Sequence, residues 1–513
     1  MELVYPEMIS LIDAYAEQNL GIPVRTLMGR SGEAVANAVR ALSTKSSRVL
    51  FLCGKGNNGG DGYAAACLLS DLQVAICDVF SAGQRTEAGK FYLEEYKSAG
   101  GRFVSLPECA SLAAELSAAD VIVDAVFGTG FSGEIPQILS ELISACNASP
   151  AHRIAVDVPL GVNAADGSVL DTVFRAEATV ALSYSKPGLH SYPAKEFVGR
   201  VSVDDIGISR DSVRELLKQD CYLTDMDFAR DTLPERPENS NKGSFGRTLL
   251  VTGSDEYRGA AHLALEAALR GGAGLVRQIG AGELCAELRA KFPEALYTEL
   301  DINHRLDAVK ILSLAEKSDT VLLGSGCGVS ESLSELAAAL IEREGGPLIL
   351  DADAINSIAR YGSADLLLRS RRTVVLTPHP LEFSRLSGIT LEYVQAHRLE
   401  CAKNFAEKYG VILLLKGAAT VITDGRRVYL NSSGSQALAK GGTGDVLAGL
   451  CAAQLIKASD ALAATALCAY LHGRAAEELE CELSGFAVTA SDLPKQIGRV
   501  ISDFCVKRKE LTL

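Results

Sequence analysis

The sequence predicts an α/β protein of two domains in tandem, each a three-layer stack with helices on both faces of a largely parallel sheet. Three observations predict it. Short apolar runs of strand length alternate with stripes of helical period along most of the chain. Several runs end directly in glycine or aspartate, as strands do where they deliver a loop to a ligand. The alternation halts in the polar, proline-bearing stretch 231–242 and then starts afresh. At 513 residues the chain exceeds one ordinary core, and such alternation implies right-handed crossovers between parallel strands. Composition agrees: 48% hydrophobic and 22% charged residues describe a globular chain, and 47 glycines without a tryptophan suit closely packed layers joined by glycine turns.

The first domain is expected over 1–215. Helical stripes at 7–19 and 24–42 precede a strand at 48–53, which runs into the glycine-rich stretch GKGNNGGDG (54–62) and an alanine-rich helix. Strands at 73–80, 121–126, 153–158, 178–185 and 199–204, with helices at 87–99 and 134–146, continue the pattern. Chemistry gathers at the ends of three strands: Asn57 to Asp61, then Asp124 with Gly128 to Glu134, then Asp157. Ligands of such sheets sit beyond the carboxyl ends of the strands, so these groups should meet in one cleft. Oxygen ligands from Asn58 and Asp124 would suit a hard cation, and a carboxylate at 157 is placed to act as acid or base. The plain alternative is that Asp124 and Asp157 cap neighbouring loops.

Gly54, Gly56 and Gly59 also satisfy G-x-G-x-x-G with Asp78 downstream, the pattern of a dinucleotide-binding turn. Polar Asn57 and Asn58 in the loop count against that reading, as does Asp61 where a pyrophosphate should rest. Lys186-Pro187-Gly188-Leu189 reads equally as a cleft wall or a solvated turn.

The second domain is expected over 222–505, with the boundary near 215 and 231–242 as a connecting loop. Strands at 247–252, 275–279, 320–323, 347–350, 373–377 and 411–415 are followed by shorter ones at 420–423 and 427–430. Asp424-Gly425 joins the last pair as a hairpin. The organising stretch is Lys440 to Asp445, where Gly441-Gly442-Thr443-Gly444 opens an alanine-rich helix. Small residues let backbone amides converge there, and the partial positive charge of a helix N-terminus favours phosphate. A carboxylate beside phosphate is repelled, so the chemistry assigned to Asp445 is taking a proton from a substrate hydroxyl. The plain reading makes it a helix-start acid beside a tight turn. Lys416 is either a phosphate-binding cation or a solvated strand end. His379, stiffened by flanking prolines, either positions a substrate or fills a turn.

GKGNNGGDG, DAVFGTGFSGE (124–134) and DVPLGV (157–162) resemble the N-terminal domain of the bifunctional NAD(P)H-hydrate repair enzymes, which epimerises NAD(P)HX. The resemblance implies a Rossmann-like three-layer domain. It also implies that Asn57, Asn58, Gly59, Gly60, Asp61, Gly128, Thr129, Gly130, Phe131, Ser132, Gly133 and Glu134 line a hydrate site, with Asp157 touching the substrate as a catalytic group. A potassium ion is implied near Asn58, Asp124 and residue 160. Where the family reads D-x-P-S-G this chain has Leu160, which offers a cation only its backbone carbonyl.

GSGCG (324–328), TPHPLEF (377–383), KGAATVI (416–422) and GGTGD (441–445) resemble the ribokinase-like, ADP-dependent dehydratase domain of the same family. This implies a ribokinase-like three-layer domain in which Lys416, Gly417, Ala418, Ala419, Thr420 and Gly444 hold the adenine nucleotide. Ala260, Gly328, His379 and Asp445 would contact the hydrate, with Asp445 as base and ADP as co-substrate. Magnesium is implied by the phosphate chemistry, with no ligand cluster visible in the sequence. The implied activity is epimerisation of R and S hydrates of NADH and NADPH followed by dehydration of the S form. The alternative is an ATP-dependent kinase of a small alcohol fused to a nucleotide-binding or scaffold module.

The formal charge of −14 excludes non-specific attraction to nucleic acid or an anionic membrane. Thirteen cysteines, scattered and without a CxxC pair, suggest reduced thiols of a cytoplasmic protein. No basic, apolar leader is evident, and no run reaches the roughly 18 apolar residues of a membrane span. The expected partners are small molecules, hydrated NADH or NADPH and ADP, and a homo-oligomer is expected.

Overall fold

The computed structural model describes residues 1–80, 85–104, 109–130, 133, 135–217, 220–300 and 307–511. Two compact units emerge, Glu2–Cys221 and Tyr222–Leu513, the latter also taking in Met1.

In the first unit, β1 (Arg48–Cys53), β2 (Gln73–Asp78), β3 (Arg102–Val104), β4 (Val121–Ala125), β5 (His152–Val156), β6 (Ala178–Leu182) and β7 (Arg200–Asp204) form one sheet. Their order is β3-β2-β1-β4-β5-β6-β7, and every pairing is parallel. The central strands are apolar without a break because both faces are covered. Val49, Phe51 and Cys53 pack with helices Pro6–Gln18 and Val24–Ala41 on one face, while Leu50 and Leu52 meet helices Cys109–Ala118 and Gln137–Ala148 on the other. Each such side chain contributes about 1.5–3 kcal/mol by leaving water.

The helix after β1 starts earlier than expected, at Asn57, so only Gly54-Lys55-Gly56 link strand to helix. A Cβ on Gly54 would lie 1.8 Å from Val126 O, and one on Gly59 would lie 2.0 Å from Gly54 O. The turn closes this tightly only without side chains at those two positions. Asn57 to Asp61 are therefore the opening turns of a helix, not a loop.

The second unit is built on a ten-stranded sheet, of β8 (Cys221–Leu223), β9 (Arg247–Val251), β10 (Leu275–Gly280), β11 (Leu296–Glu299), β12 (Thr320–Leu323), β13 (Leu348–Leu350), β14 (Val374–Leu376), β15 (Ile412–Leu415), β16 (Val421–Thr423) and β17 (Val428–Leu430). The order is β11-β10-β9-β12-β13-β14-β15-β16-β17-β8. Strands β9 to β15 run parallel, and the β15–β16 and β16–β17 pairings are antiparallel. Asp424 Oδ1 accepts from the amides of Arg426 (2.9 Å) and Arg427 (2.7 Å), which shapes the hairpin turn. Leu250, Leu322, Ile349, Val375 and Leu414 face a large core with the Arg258–Arg270, Thr443–Gln454 and Ala461–Leu483 helices.

The Thr443–Gln454 helix is apolar nearly all round because it is buried: Val446 to Gln454 are all enclosed. Gly449 lets the Arg258–Arg270 helix approach, since a Cβ there would lie 2.2 Å from Ala264 O. The sequence did not announce β3, β8 or β11. Each is three or four residues long and lies at or next to a sheet edge, too short for an alternation signal.

Candidate active sites

The first unit carries a cleft of about 540 Å³ at the carboxyl ends of β1, β4, β5 and β6. Asn57, Asn58, Asp61, Gly128, Thr129, Gly130 and Asp157 all line it. Gly59 and Gly60 do not: a Cβ on Gly60 would lie 2.5 Å from the Met28 side chain, so both glycines serve close packing. Gly133 is described as an exposed residue in the left-handed region (φ 121°). Phe131, Ser132 and Glu134 lie outside the described residues.

Asp157 sits in the left-handed region at φ 65°, a conformation that costs a non-glycine residue about 1–2 kcal/mol and must be held by its surroundings. Its Oδ1 accepts from Leu182 N at 3.1 Å and from the ammonium of Lys186. Lys186 is fully buried and also donates to Leu182 O at 2.9 Å. Lys186 is thus neither a solvated turn nor an ordinary wall but the counter-ion of Asp157.

Asp61 lies nearby, and burial first, then the charge of Asp157, pushes its pKa well above the usual carboxylate range. That shift favours the neutral form relative to an ordinary carboxylate, which weakens the charge argument against a phosphate ligand. Asp13, on the Pro6–Gln18 helix, also lines the cleft and is pushed up to about 6, chiefly by burial and against the pull of Lys186. Sequence reasoning missed Asp13, and it noted Lys186 without its ion pair. The available signals were an acid four residues after buried Ile9, on the same helix face, and a lysine directly following an apolar strand.

The donor set for potassium fits only in part. Asn58 donates its Nδ2 to Phe127 O at 2.8 Å, and its buried Oδ1 has no partner, as suits a cation ligand. Asp124 is buried with both oxygens engaged, Oδ1 by Val126 N (3.1 Å) and Oδ2 by Leu160 N (2.7 Å). Burial pushes its pKa up to about 7. Leu160 meets Asp124 through its N–H, and its carbonyl accepts from Phe174 N at 2.9 Å, which leaves that oxygen a second lone pair for a cation. Asp78 accepts from Arg85, so the dinucleotide pattern has its downstream acid engaged elsewhere.

In the second unit, Asp351 is the anchor. Its Oδ2 accepts from Ser325 Oγ (2.8 Å), and its Oδ1 from Thr377 Oγ1 (2.7 Å) and Lys416 Nζ (3.2 Å). Burial opposes the charge on Lys416, yet Asp351 and Glu382, the latter at 4.0 Å, outweigh it and hold the ammonium above its ordinary pKa. A Cβ on Gly444 would lie 3.3 Å from Lys416 Nζ, which places that cation at the start of the Thr443–Gln454 helix. Gly442 caps this helix at φ 92° and supplies no side chain. The helix N-terminus therefore lacks a side-chain cap, the arrangement that receives an anion.

Asp445 stands in the first turn, half-buried, and is pushed up to about 7 by burial first and then by Asp351, against Lys416. His379 is a helix N-cap: Nδ1 accepts from Leu381 N and Glu382 N, both at 3.2 Å, and Glu382 Oε2 accepts from His379 N at 2.9 Å. Burial, with Lys416 beyond it, lowers the His379 pKa, so the imidazole is neutral with its proton on Nε2.

Gly328 N donates to Asp353 at 2.8 Å. Ala260 packs beside the same turn, since a Cβ on Gly326 would lie 2.6 Å from the Ala260 Cβ. Thr420 Oγ1 donates to Gly417 O at 2.8 Å, shaping the loop from within. No three metal-ligating groups within this unit bring their ligand atoms within 4.8 Å of one another among the described residues. Magnesium commonly takes one or two protein oxygens and completes its shell with phosphate oxygens and water, so a nucleotide phosphate would supply ligands here.

With both sites described, similarity to known proteins becomes specific. The family described as YjeF-related protein N-terminus matches residues 24–188, and the family described as NAD(P)H-hydrate dehydratase matches residues 248–499. A bifunctional NAD(P)H-hydrate repair enzyme from Pyrobaculum aerophilum is 37% identical over 512 residues, covering 96% of this chain and 98% of that one. The chain belongs to the bifunctional NAD(P)H-hydrate repair enzymes. Another member, from Escherichia coli K12, is 32% identical over 491 residues, with 94% of this chain and 90% of that one covered. A crystal structure of a ribokinase-like superfamily protein from Enterococcus faecalis V583 is 26% identical, covers 56% of this chain and 98% of that chain, and has a TM-score of 0.50. The repair-enzyme family thus joins two α/β units, and the second of them has a ribokinase-like fold.

Proposed function

We propose that this chain epimerises the R and S forms of hydrated NADH and NADPH and dehydrates the S form to NAD(P)H at the expense of ADP. The epimerase is assigned to 1–215 and the dehydratase to 222–505. The observation that carries the reading is the pairing of Lys416 with the uncapped helix at Gly442–Gly444, beside an aspartate whose pKa of about 7 suits a base near neutrality.

In the second unit, Lys416 and the amides at Gly417–Thr420 and Gly444 receive the nucleotide phosphates. Asp445 takes the proton of the hydrate hydroxyl as that oxygen accepts the terminal phosphoryl group of ADP, and AMP leaves. The carbon–oxygen bond then breaks, phosphate departs, and loss of a proton from the adjacent carbon restores the double bond. Electrostatics and positioning supply most of the catalysis in such transfers. Ala260, Gly328 and His379 bound the hydrate, and magnesium would neutralise phosphate charge when bound.

In the first unit, Asp61 and Asp157 form an acid and base pair whose surroundings differ. Asp61, whose pKa burial raises, can protonate the departing hydroxyl, and ion-paired Asp157 can take the proton of the water that returns on the other face. Asn57, Asn58 and Gly128 to Gly130 line the site. Asn58 Oδ1 is the group that would meet a potassium ion.

Purified chain supplied with mixed hydrates and ADP or ATP tests the reading. Recovery of reduced-nicotinamide absorbance with release of AMP or ADP is expected, together with interconversion of the two hydrates on chromatography. A stable phosphorylated small alcohol as the product would overturn it in favour of a kinase.

A further inference from the structure

We propose that Arg398 is the positioning residue of the nucleotide loop: its guanidinium fixes the peptide planes after β15 so that the Gly417 and Ala419 amides face a nucleotide phosphate. The proposal rests on the reading of the second unit given above and extends it to a residue that no motif marks.

Arg398 opens the Arg398–Tyr409 helix and is only 8% exposed. Its Nη1 donates to Ala418 O at 2.7 Å, and its Nη2 to Leu415 O at 3.1 Å and Lys416 O at 2.9 Å. Thr420 Oγ1 holds the intervening Gly417 O at 2.8 Å. Every carbonyl from Leu415 to Ala418 is thereby engaged on the protein side.

A trans peptide plane points its N–H opposite to its carbonyl, and the cis bond among the described residues is Tyr192–Pro193, far from this loop in sequence. Capturing the oxygens of Leu415, Lys416 and Ala418 therefore turns the N–H groups of Lys416, Gly417 and Ala419 away from Arg398. Lys416 N is taken by Pro378 O at 2.9 Å. Among the described residues' hydrogen bonds, neither Gly417 N–H nor Ala419 N–H has an acceptor. Two amides aimed to one side beside a lysine make an anion-binding concavity.

The backbone conformation fits the same account. Gly417 sits at φ 144° and Ala419 at φ 51°, and a Cβ on Gly417 would lie 2.6 Å from Arg398 Nη2. The guanidinium occupies the place a side chain at 417 would need. A planar fork with five donors can hold three diverging carbonyls, which a lysine ammonium on a flexible stem cannot do in the same geometry.

The test uses the full chain as wild type, Arg398→Met and Arg398→Lys, titrated calorimetrically with ADP and with adenosine. In Arg398→Met the Kd for ADP is expected to rise about 10-fold or more while that for adenosine stays within about twofold, since only the phosphate contacts depend on the amides. Arg398→Lys should recover part of the ADP affinity. Epimerisation by the first unit, measured on the same samples, should hold its wild-type rate. If ADP binding is unchanged in both variants, the proposal is overturned. Equal losses for ADP and adenosine would overturn it as well, because a general loss of structure acts on both. Should Arg398→Met melt below the assay temperature, Arg398→Lys decides by the same comparison. A wild type that fails to bind ADP overturns the nucleotide reading of the whole unit, whereas wild-type binding with unaffected variants overturns the role of Arg398 alone.

Discussion

Lys186 is wholly enclosed and donates to the carboxylate of Asp157, one of the acids that line the first cleft. A buried pair of this kind is costly to break from one side, about 3–5 kcal/mol, because the partner charge is left unpaired in a poorly solvated place. Lys186→Met is therefore expected to destabilise the first unit by about 3–5 kcal/mol and to slow epimerisation, while dehydration in the second unit continues at its normal rate. Chemical denaturation and epimerisation rates, beside a dehydration assay on the same sample, check this. Wild-type stability and epimerisation in the variant would sink it.

Burial, and then the charge of Asp157, push the Asp61 pKa well above the usual carboxylate range. Asp61→Asn keeps the shape and removes the carboxyl proton. Thermal stability should stay near that of wild type, and epimerisation should fall about 10²-fold or more if the carboxylic acid donates in the reaction. A melt paired with the chromatographic epimerisation assay separates the two effects, and full activity in Asp61→Asn would remove the acid role.

For Asp445, raised to about 7, the base form accumulates as pH rises through that value. Dehydration is expected to increase with pH up to about 7 and then level off. Asp445→Asn should lower turnover about 10²–10⁴-fold with ADP affinity little changed. Steady-state rates with a separate ADP titration check it, and near-normal turnover in the variant would reject the base.

The same aspartate links stability to pH. A carboxyl group whose pKa is about 7 folded and about 4 unfolded binds its proton more tightly in the folded state. Its contribution is fully present below about pH 4 and is lost as pH rises toward 7. Asp445→Asn cannot ionise, so its melting temperature relative to wild type should climb from about pH 5 to about pH 8. Taking the difference matters because His472, pushed down to about 4 by burial, adds an opposite trend to both proteins. A constant difference across that range would count against the raised pKa.

The two glycines of the first turn should separate packing from ligand contact. Nothing lies within 4 Å of a Cβ on Gly56, whereas one on Gly59 would lie 2.0 Å from Gly54 O. Gly59→Ala is expected to destabilise the first unit by about 1–3 kcal/mol or more and Gly56→Ala to leave its melt nearly unchanged. Chemical denaturation followed through loss of epimerase activity reads the contrast, and equal effects would refute the packing account.

The strands at the centre of both sheets, the hairpin at Asp424-Gly425 and the helix opening at Thr443 were legible in the sequence because each depends on neighbours a few residues away. Apolar runs make buried strands, Asp-Gly makes a tight turn, and glycines open a helix toward an anion. Asp157, Lys416 and Asp445 could be singled out as candidates for the same reason, since they stand at the ends of those elements. Edge strands such as Arg102–Val104 were not, for they are too short to carry a pattern.

What the order of residues determined by itself was two layered α/β units and the strand ends where chemistry collects, since local periodicity and turn chemistry set both. Only the tertiary structure decided that Lys186 neutralises Asp157 and that Asp351 steadies Lys416, a residue 65 positions away. It also decided that Leu160 offers Asp124 an amide and that Arg398 grips the loop after β15. Those pairings follow from which strand lies beside which and from how deeply each charge is enclosed. Crossovers through space decide that, and no short window of sequence contains them.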